Sequence, residues 1–228
     1  MSRAVIKSAR YKYGLIFCSL IVTFCILIKI EGFDELGAAR VILGGYPLGR
    51  TILILTFVIN ISLIQYLNAD QIVLMLKKNE LLLIRYGKPE KLLCRLLKSI
   101  LYQNIIYAFL ILSASAISGI LCGLPSFPVR IREVVELGSR GLLICAFFSL
   151  VQVILIIRLN EVDTFMAMLV FSVLCAFFSR IDIGIFTLFP MQPSGIRLGL
   201  NVILCMGYIA SGTFLCFKIY QKYWHSFF

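Results

Sequence analysis

Long apolar runs alternate with short polar segments along the whole of this sequence. A helix needs roughly 20 apolar residues to cross about 30 Å of hydrocarbon, and six runs approach that length, the second by including its neighbours. We therefore predict an all-α membrane protein with one transmembrane domain over residues 1–228. The predicted spans are residues 13–30, 51–67, 99–121, 141–157, 164–178 and 198–217.

The segments between the spans have patterns of their own. Residues 1–12 carry four basic side chains, no acidic ones and helically spaced apolar positions, which predict an interfacial helix on the inner membrane surface. Residues 31–50 and 122–140 balance their charges and contain Gly and Pro, so we predict outside loops, the first with apolar side chains leaning into the outer interface. Residues 181–196 are too apolar for water and too broken by Gly and Pro for a span, which is typical of a re-entrant segment before span six.

The longest charged stretch, Asp70–Lys98, lies in a predicted cytoplasmic segment of residues 68–98. It holds seven Lys or Arg and three acidic residues, and such basic segments stay on the cytoplasmic side of a membrane. Pro89 suits the first turn of a new helix, and the leucines after it recur at helical spacing opposite the charged side chains. We predict an amphipathic helix that continues into the third span. A structural alternative is that this helix only anchors the bundle in the inner leaflet.

The distribution of basic residues predicts how the spans are oriented. Fourteen of the 22 Lys and Arg fall on segments that six spans would place inside, and eight fall outside or at the outer edge. The basic N-terminus and the basic, aromatic tail then both lie in the cytoplasm. The fourth and fifth spans are joined on the inside by a tight charged turn, Arg158–Asp163.

Composition agrees with a membrane protein. Of the residues, 61% are hydrophobic and 14% are charged, and the mean hydropathy is +0.98. Soluble domains average about 45–50% apolar and about 25% charged residues. The net charge of +11 collects at the flanks of the spans, as the positive-inside bias requires, so we predict no nucleic-acid binding.

The sequence offers little catalytic or metal-binding chemistry, and we predict no catalytic, cofactor or metal residues. The eight cysteines fall mostly in apolar runs without a C-x-x-C pair, which is typical of small buried apolar side chains. His225 is the one histidine, and no P-loop, H-E-x-x-H or G-x-S-x-G motif is present. Acidic residues lie at loops and flanks, which argues against an ion-coupled carrier, although carbonyl, Asn and Ser groups also bind ions.

Four features together resemble the small membrane subunits of type-2 ATP-binding-cassette (ABC) exporters. They are the basic amphipathic leader, the basic inner segment with its break within Ile84–Lys91, the tight charged turn between spans four and five, and the broken apolar excursion before the last span. These features cover nearly the whole chain. The plan is similar to that of permeases for bacteriocin, lantibiotic or toxic-peptide export and immunity.

The resemblance implies a non-enzymatic permease domain in the bacterial cytoplasmic membrane that works with a separate ABC ATPase subunit, on which ATP and Mg would bind. It also implies a second copy of the chain, or a related permease, across a central path for a peptide or other amphipathic substrate. Residues that would couple to the ATPase are Glu80, Arg85, Tyr86, Gly87, Lys88, Glu90, Lys91, Arg158, Glu161 and Asp163. Polar residues that would line the path are Asn60, Gln65, Gln103, Asn104 and Asn201.

Two other functions fit the same pattern. A membrane scaffold or immunity protein would bind a toxin or a partner without transporting it. A secondary carrier would draw on an ion gradient and would need no ATPase.

Overall fold

The chain is described by a computed structural model, which covers residues 3–43, 51–76, 89–124, 131–178, 207 and 210–219. Within these ranges the regular structure is entirely helical, which confirms the predicted all-α class. The helices are α1 (Arg3–Glu31), α2 (Glu35–Ile42), α3 (Thr51–Leu76), α4 (Pro89–Leu121), α5 (Ile131–Arg158), α6 (Glu161–Phe178) and α7 (Ala210–Ile219).

Four of the helices are long and apolar enough to cross a membrane. The qualifying stretches are Tyr11–Glu31, Thr51–Ala69, Lys91–Leu121 and Leu137–Arg158, and they coincide with the first four predicted spans. The helices α6 and α7 lie at the positions of the fifth and sixth predicted spans. The six-span arrangement stays a prediction, and the predicted re-entrant segment, residues 181–196, lies outside the described residues.

The outer faces of these helices are apolar, as contact with lipid requires. On α1, the exposed side chains Val22, Ile26 and Ile30 follow one another at intervals of four residues. On α4, Phe109 is 68% exposed and Ile120 is 77% exposed. A soluble protein rarely exposes such continuous apolar stripes to water, whereas in a bilayer they contact lipid hydrocarbon.

The predicted interfacial leader is not a separate element. Residues 3–12 and the first span form one uninterrupted helix, α1. No proline precedes Gly14, and a lone glycine does not break a helix whose other residues support it. The prediction for α4 is confirmed: it begins at Pro89 and continues without a break through the third span.

Helix α3 continues through residues 68–76, the start of the predicted cytoplasmic segment. The last turns of α3, the first turns of α4 and the last turns of α5 share one apolar cluster. We call this region of the molecule the basic end, and its core residues are Ile72, Val73, Leu92, Leu93, Leu96, Ile100, Leu150, Val153, Ile156, Ile157 and Cys216. Since the chain enters this end by α3 and α5 and leaves it by α4 and α6, successive long helices run in opposite directions.

The first predicted outside loop contains the buried helix α2. Asp34 caps its start by accepting a hydrogen bond from the Gly37 amide at 2.8 Å. Its apolar side chains are buried rather than leaning into the outer interface, and Ala38, Ala39 and Val41 are fully enclosed. Helix α2 contacts α1, α3, α4 and α5. Small residues allow this enclosure, because they let four surrounding helices approach its backbone.

Small residues on α4 make room for α2. The Ser115 hydroxyl donates a hydrogen bond to the Glu35 carbonyl at 2.9 Å. One turn on, the Glu35 side chain occupies the space where a Cβ of Gly119 would lie. The Ser115-x-x-x-Gly119 pattern therefore has the packing role predicted for it, with the short helix α2 rather than another span as its partner.

Helix α5 is the centre of the bundle. Of the residues in its apolar window, 65% are buried, compared with 28% for α1. Phe148 makes edge-to-face contacts with Phe57 of α3 at 6.1 Å and with Phe171 of α6 at 5.8 Å between ring centroids. These aromatic contacts fix the rotation of α5 against two neighbours, and that rotation decides which of its polar side chains point inward.

Candidate functional site

Six polar side chains meet between α3, α4 and α5. Each of the three helices contributes two of them, one turn apart or adjacent, on the face turned toward the other two helices. All six are at most 7% exposed. We call this set the polar layer, and its members are Gln65, Asn68, Gln103, Asn104, Ser149 and Gln152.

Hydrogen bonds connect the three helices through Ser149. Its hydroxyl accepts from the Asn68 amide at 2.8 Å and from the Asn104 amide at 3.1 Å. It donates in turn to the Cys145 carbonyl at 2.6 Å. In lipid, where apolar burial gives helices little reason to associate, such interhelical bonds are a main source of specificity. The layer therefore fixes the register of α3, α4 and α5.

The glutamines contribute bonds to the backbone of α3. Gln152 donates to the Gln65 carbonyl at 3.0 Å. Gln103 donates to the Leu67 carbonyl at 3.4 Å. Both carbonyl oxygens already accept a backbone hydrogen bond within α3. Each therefore accepts a second hydrogen bond, from a glutamine side chain.

The polar layer has spare hydrogen-bonding capacity. Among the described residues, five of its buried atoms have no partner: both amide atoms of Gln65 and the side-chain oxygens of Asn68, Gln103 and Gln152. Each unsatisfied buried group costs about 1–3 kcal/mol. Four of the five atoms are acceptors, so the layer is suited to bind donor groups, whether of water or of a polar ligand.

A cavity of about 260 Å³ opens beside the layer. Asn104 belongs to both, so the cavity has an amide from the polar layer in its wall. Lys98 and Thr213 add a cation and a hydroxyl, while the remaining wall is apolar. Side chains from α4, α5 and α7 line it: Cys94, Leu97, Lys98, Ile100, Leu101, Asn104, Ala146, Leu150 and Thr213. This combination of surfaces matches a small amphipathic group.

Asn60, predicted to line the path, is hydrogen-bonded between three helices. It is 2% exposed and donates to the Ile42 carbonyl at 2.8 Å. Its side-chain oxygen accepts from the Tyr107 hydroxyl. Asn60 therefore ties the end of α2 to α3 and α4. Gln65, Gln103 and Asn104 do come together, whereas Asn201 lies outside the described residues.

The predicted coupling residues divide into three groups. Lys91 is exposed on α4 together with Arg95 and Lys98, opposite the buried leucines, which confirms the amphipathic pattern. Glu90 lies in the first turn of α4. Arg158, Glu161 and Asp163 are exposed around the turn between α5 and α6. Five others lie outside the described residues: Glu80, Arg85, Tyr86, Gly87 and Lys88.

The turn between α5 and α6 is built by Asn160, which sequence reasoning did not single out. Its side-chain oxygen accepts from the Asp163 amide at 2.7 Å, and its side-chain nitrogen donates to the Asp163 carboxylate at 2.7 Å. This is an N-cap in which two residues satisfy each other. The spacing of Asn160 and Asp163 directly before an apolar run was the available signal.

Three members of the polar layer were also missed. Asn68 was assigned to the cytoplasmic segment, although it is fully buried. Ser149 and Gln152 lie one turn apart in an otherwise apolar span, and that spacing alone indicates a shared polar face. In the described part of the chain, no three His, Cys, Asp or Glu side chains lie together as metal ligands would.

The cysteines only partly follow their predicted role. Cys145, Cys175 and Cys216 are buried, as expected for small apolar side chains. Cys18 and Cys94 are exposed, and Cys25 and Cys122 are half-buried. Cys205 lies outside the described residues.

No protein-family model, curated protein or solved structure matches this chain.

Proposed function

We propose that this protein is the membrane subunit of a type-2 ABC exporter, with six spans and both termini in the cytoplasm. It forms a path for a peptide or other amphipathic substrate and is driven by a separate ATPase subunit that binds ATP and Mg. A second copy of the chain, or a related permease, completes the path.

The observation that carries this proposal is the position of the two exposed charged elements. The amphipathic start of α4, with Lys91 at its surface, lies at the basic end. The α5–α6 turn lies at the same end, because Ile156 and Ile157 in the last turn of α5 pack in the same apolar cluster as Leu92. A single partner below the membrane can therefore contact both elements at once.

Both elements are also rigidly connected to the transmembrane helices. Helix α4 passes from the charged surface to Leu121 without interruption. The turn is capped by Asn160 and continues on either side into long helices. Movement of a partner at the basic end would thus be transmitted along stiff helices to the opposite end, as in domain movements driven by nucleotide binding.

The polar layer and the adjoining cavity support a substrate path. Among the described residues, the side-chain oxygens of Gln65 and Gln103 have no hydrogen-bond partner. Asn104 lies in the wall of the cavity, and the rest of that wall is largely apolar. An amphipathic substrate would pack its apolar groups against the leucines and donate hydrogen bonds to the polar layer.

A second candidate is a membrane immunity or scaffold protein that binds a toxin without transporting it. The burial of Asn60, Gln65, Gln103 and Asn104, each at most 7% exposed, favours it. In this conformation these side chains are enclosed by the described helices of their own chain. Such a protein would bind an amphipathic ligand without requiring an ATPase.

The test is to purify the full-length tagged chain from the membranes of its own host and to measure ATP hydrolysis in the purified sample. We expect a P-loop ATPase to co-purify in stoichiometric amount. Charge reversal by Lys91→Glu or Arg158→Glu should weaken this association at least about tenfold, which corresponds to about 1.4 kcal/mol.

Lys29→Glu is the matched control, since Lys29 is an exposed cation of α1 far from the basic end. It should leave the association and the hydrolysis unchanged. If the purified chain binds a toxin with no ATPase present, the immunity function is supported instead. Hydrolysis that is equally insensitive to all three changes would contradict the coupling role of the basic end.

A further inference from the structure

Helices α1 and α4 run side by side in the same direction. Near the basic end, the side chain of Tyr13 on α1 lies beside Gln103 of α4. Ile21 lies about two turns beyond Tyr13 on α1, and Ser118 lies about four turns beyond Gln103 on α4. The Ser118 hydroxyl donates to the Ile21 carbonyl at 3.2 Å. Contacts that follow in the same order along both helices show that α1 and α4 are parallel, and the Ile21–Ser118 contact sets their relative position away from the basic end.

This register brings two cysteines together. Four residues beyond Ile21 and Ser118 lie Cys25 and Cys122. Because one helical turn is about 3.6 residues, both return to the face where the helices meet. The influence of the Cys25 thiol on the pKa of Cys122 agrees with this placement. The Ile21–Ser118 contact and the shared spacing therefore bring the two thiols close together.

The surroundings of the pair suit a thiol that can react. Both cysteines are half-buried, so small reagents reach them. Cys122 follows the last residue of α4, and Gly123 with φ of +75° ends the helix directly after it. Chain that has left the helix can adjust its Cβ position, which a disulfide requires.

We propose that Cys25 and Cys122 form a reversible disulfide that fastens α1 to α4 at the end of the molecule opposite the basic end. In the orientation of the proposed function this end faces outside, where oxidants of thiols are available. The formation of the bond itself depends only on the contact between the two cysteines.

The reaction is a thiol–disulfide exchange with an external disulfide. One cysteine thiolate attacks the external disulfide and releases its first thiol. The other cysteine thiolate then attacks the mixed disulfide, forms the Cys25–Cys122 bond and releases the second thiol. Two protons pass from the cysteines to the two released thiolates, and the external disulfide takes up the two electrons.

Exchange should be slow at neutral pH. Burial, together with the neighbouring Cys25 thiol, raises the pKa of Cys122, and Lys29 opposes this shift. A raised thiol pKa leaves less thiolate at pH 7, so the rate of exchange should increase as the pH rises toward that pKa. Replacing Cys25 removes a cause of the shift, and the remaining Cys122 should then be alkylated faster.

The experiment treats the purified full-length protein with glutathione disulfide, then denatures it and counts its free thiols with a maleimide–polyethylene glycol reagent. We expect the number of free thiols to fall from the eight of the sequence by two, with recovery after reduction by dithiothreitol. Mass spectrometry of the unreduced digest should show the peptides of Cys25 and Cys122 joined.

The variants separate this pair from the other cysteines. In Cys25→Ser and Cys122→Ser the remaining cysteine can form only a mixed disulfide with glutathione, so their unreduced digests should show no internally joined peptides. Cys18→Ser is the matched control, because Cys18 is exposed on the same helix, and it should still lose two thiols. The proposal is overturned if the wild-type protein keeps eight thiols, or if its digest shows glutathione on Cys122 and no joined peptides. The digest of the wild-type protein gives this answer even where a variant fails to fold.

Discussion

Replacing Asn60 by leucine should weaken the attachment of the buried helix α2 to the bundle. The side chain of Asn60 donates to the carbonyl of Ile42, the last residue of α2, and accepts from the Tyr107 hydroxyl. Asn60→Leu keeps a similar volume and removes both bonds. Ile42 is 1% exposed and Tyr107 is fully buried, so neither group can turn to water instead.

The expected cost follows from the Ile42 carbonyl, which loses its side-chain partner, and from the Tyr107 hydroxyl, which keeps only the Asn60 backbone carbonyl at 3.3 Å. An orphaned buried polar group costs about 1–3 kcal/mol, whereas the net value of one interhelical bond in lipid averages about 0.6 kcal/mol and reaches about 1.7. We therefore expect Asn60→Leu to lower the free energy of unfolding by about 1–3 kcal/mol. Tyr107→Phe should cost about 1–2 kcal/mol, because it orphans only the Asn60 oxygen.

The measurement is reversible unfolding in mixed micelles, followed by circular dichroism as the fraction of SDS increases. The double variant should be less destabilised than the sum of the single variants, with a coupling energy of about 1 kcal/mol or more. Ser62→Ala is the matched control on α3, because Ser62 bonds only to the Val58 carbonyl of its own helix. It should be nearly neutral.

Additive effects of Asn60→Leu and Tyr107→Phe would show that the two side chains do not interact. An Asn60→Leu variant as stable as Ser62→Ala would refute the whole argument, since α2 would then be held without this contact.

Two further predictions concern α2 and the polar layer. Gly119→Leu should destabilise the protein by about 1–3 kcal/mol in the same assay, because a side chain there meets Glu35, while Gly14→Leu, which meets nothing within 4 Å, should have little effect. Gln65→Leu removes two unpartnered buried atoms, so we expect unchanged or increased stability together with a loss of substrate binding or transport; a loss of stability would show that the Gln65 amide is satisfied in the folded protein.

Much of the helical organisation was predictable from sequence. The four stretches able to span a membrane, the start of α4 at Pro89 and the charged face with Lys91 all agree with the pattern of apolar positions. The reason is that a bilayer provides no partners for backbone groups, so each span must satisfy its own hydrogen bonds and its limits depend on local residues.

The candidate site was less predictable, because it depends on how each helix is rotated about its axis. Gln65, Gln103 and Asn104 were recognised as polar residues in apolar runs, but their neighbours Asn68 and Ser149 were not. Rotation is set by packing against helices that are distant in sequence, and no local pattern contains that information.

The sequence by itself determined that this is a helical membrane protein with a basic, amphipathic entry into its third long helix. Only the tertiary structure decided that a supposed surface loop contributes the enclosed helix α2, that amides from α3, α4 and α5 converge on Ser149, and that Cys25 meets Cys122. Hydrophobic length is a property of neighbouring residues along the chain. Contacts between side chains on different helices arise from close packing of small residues and interhelical hydrogen bonds, and these exist only once the bundle has assembled.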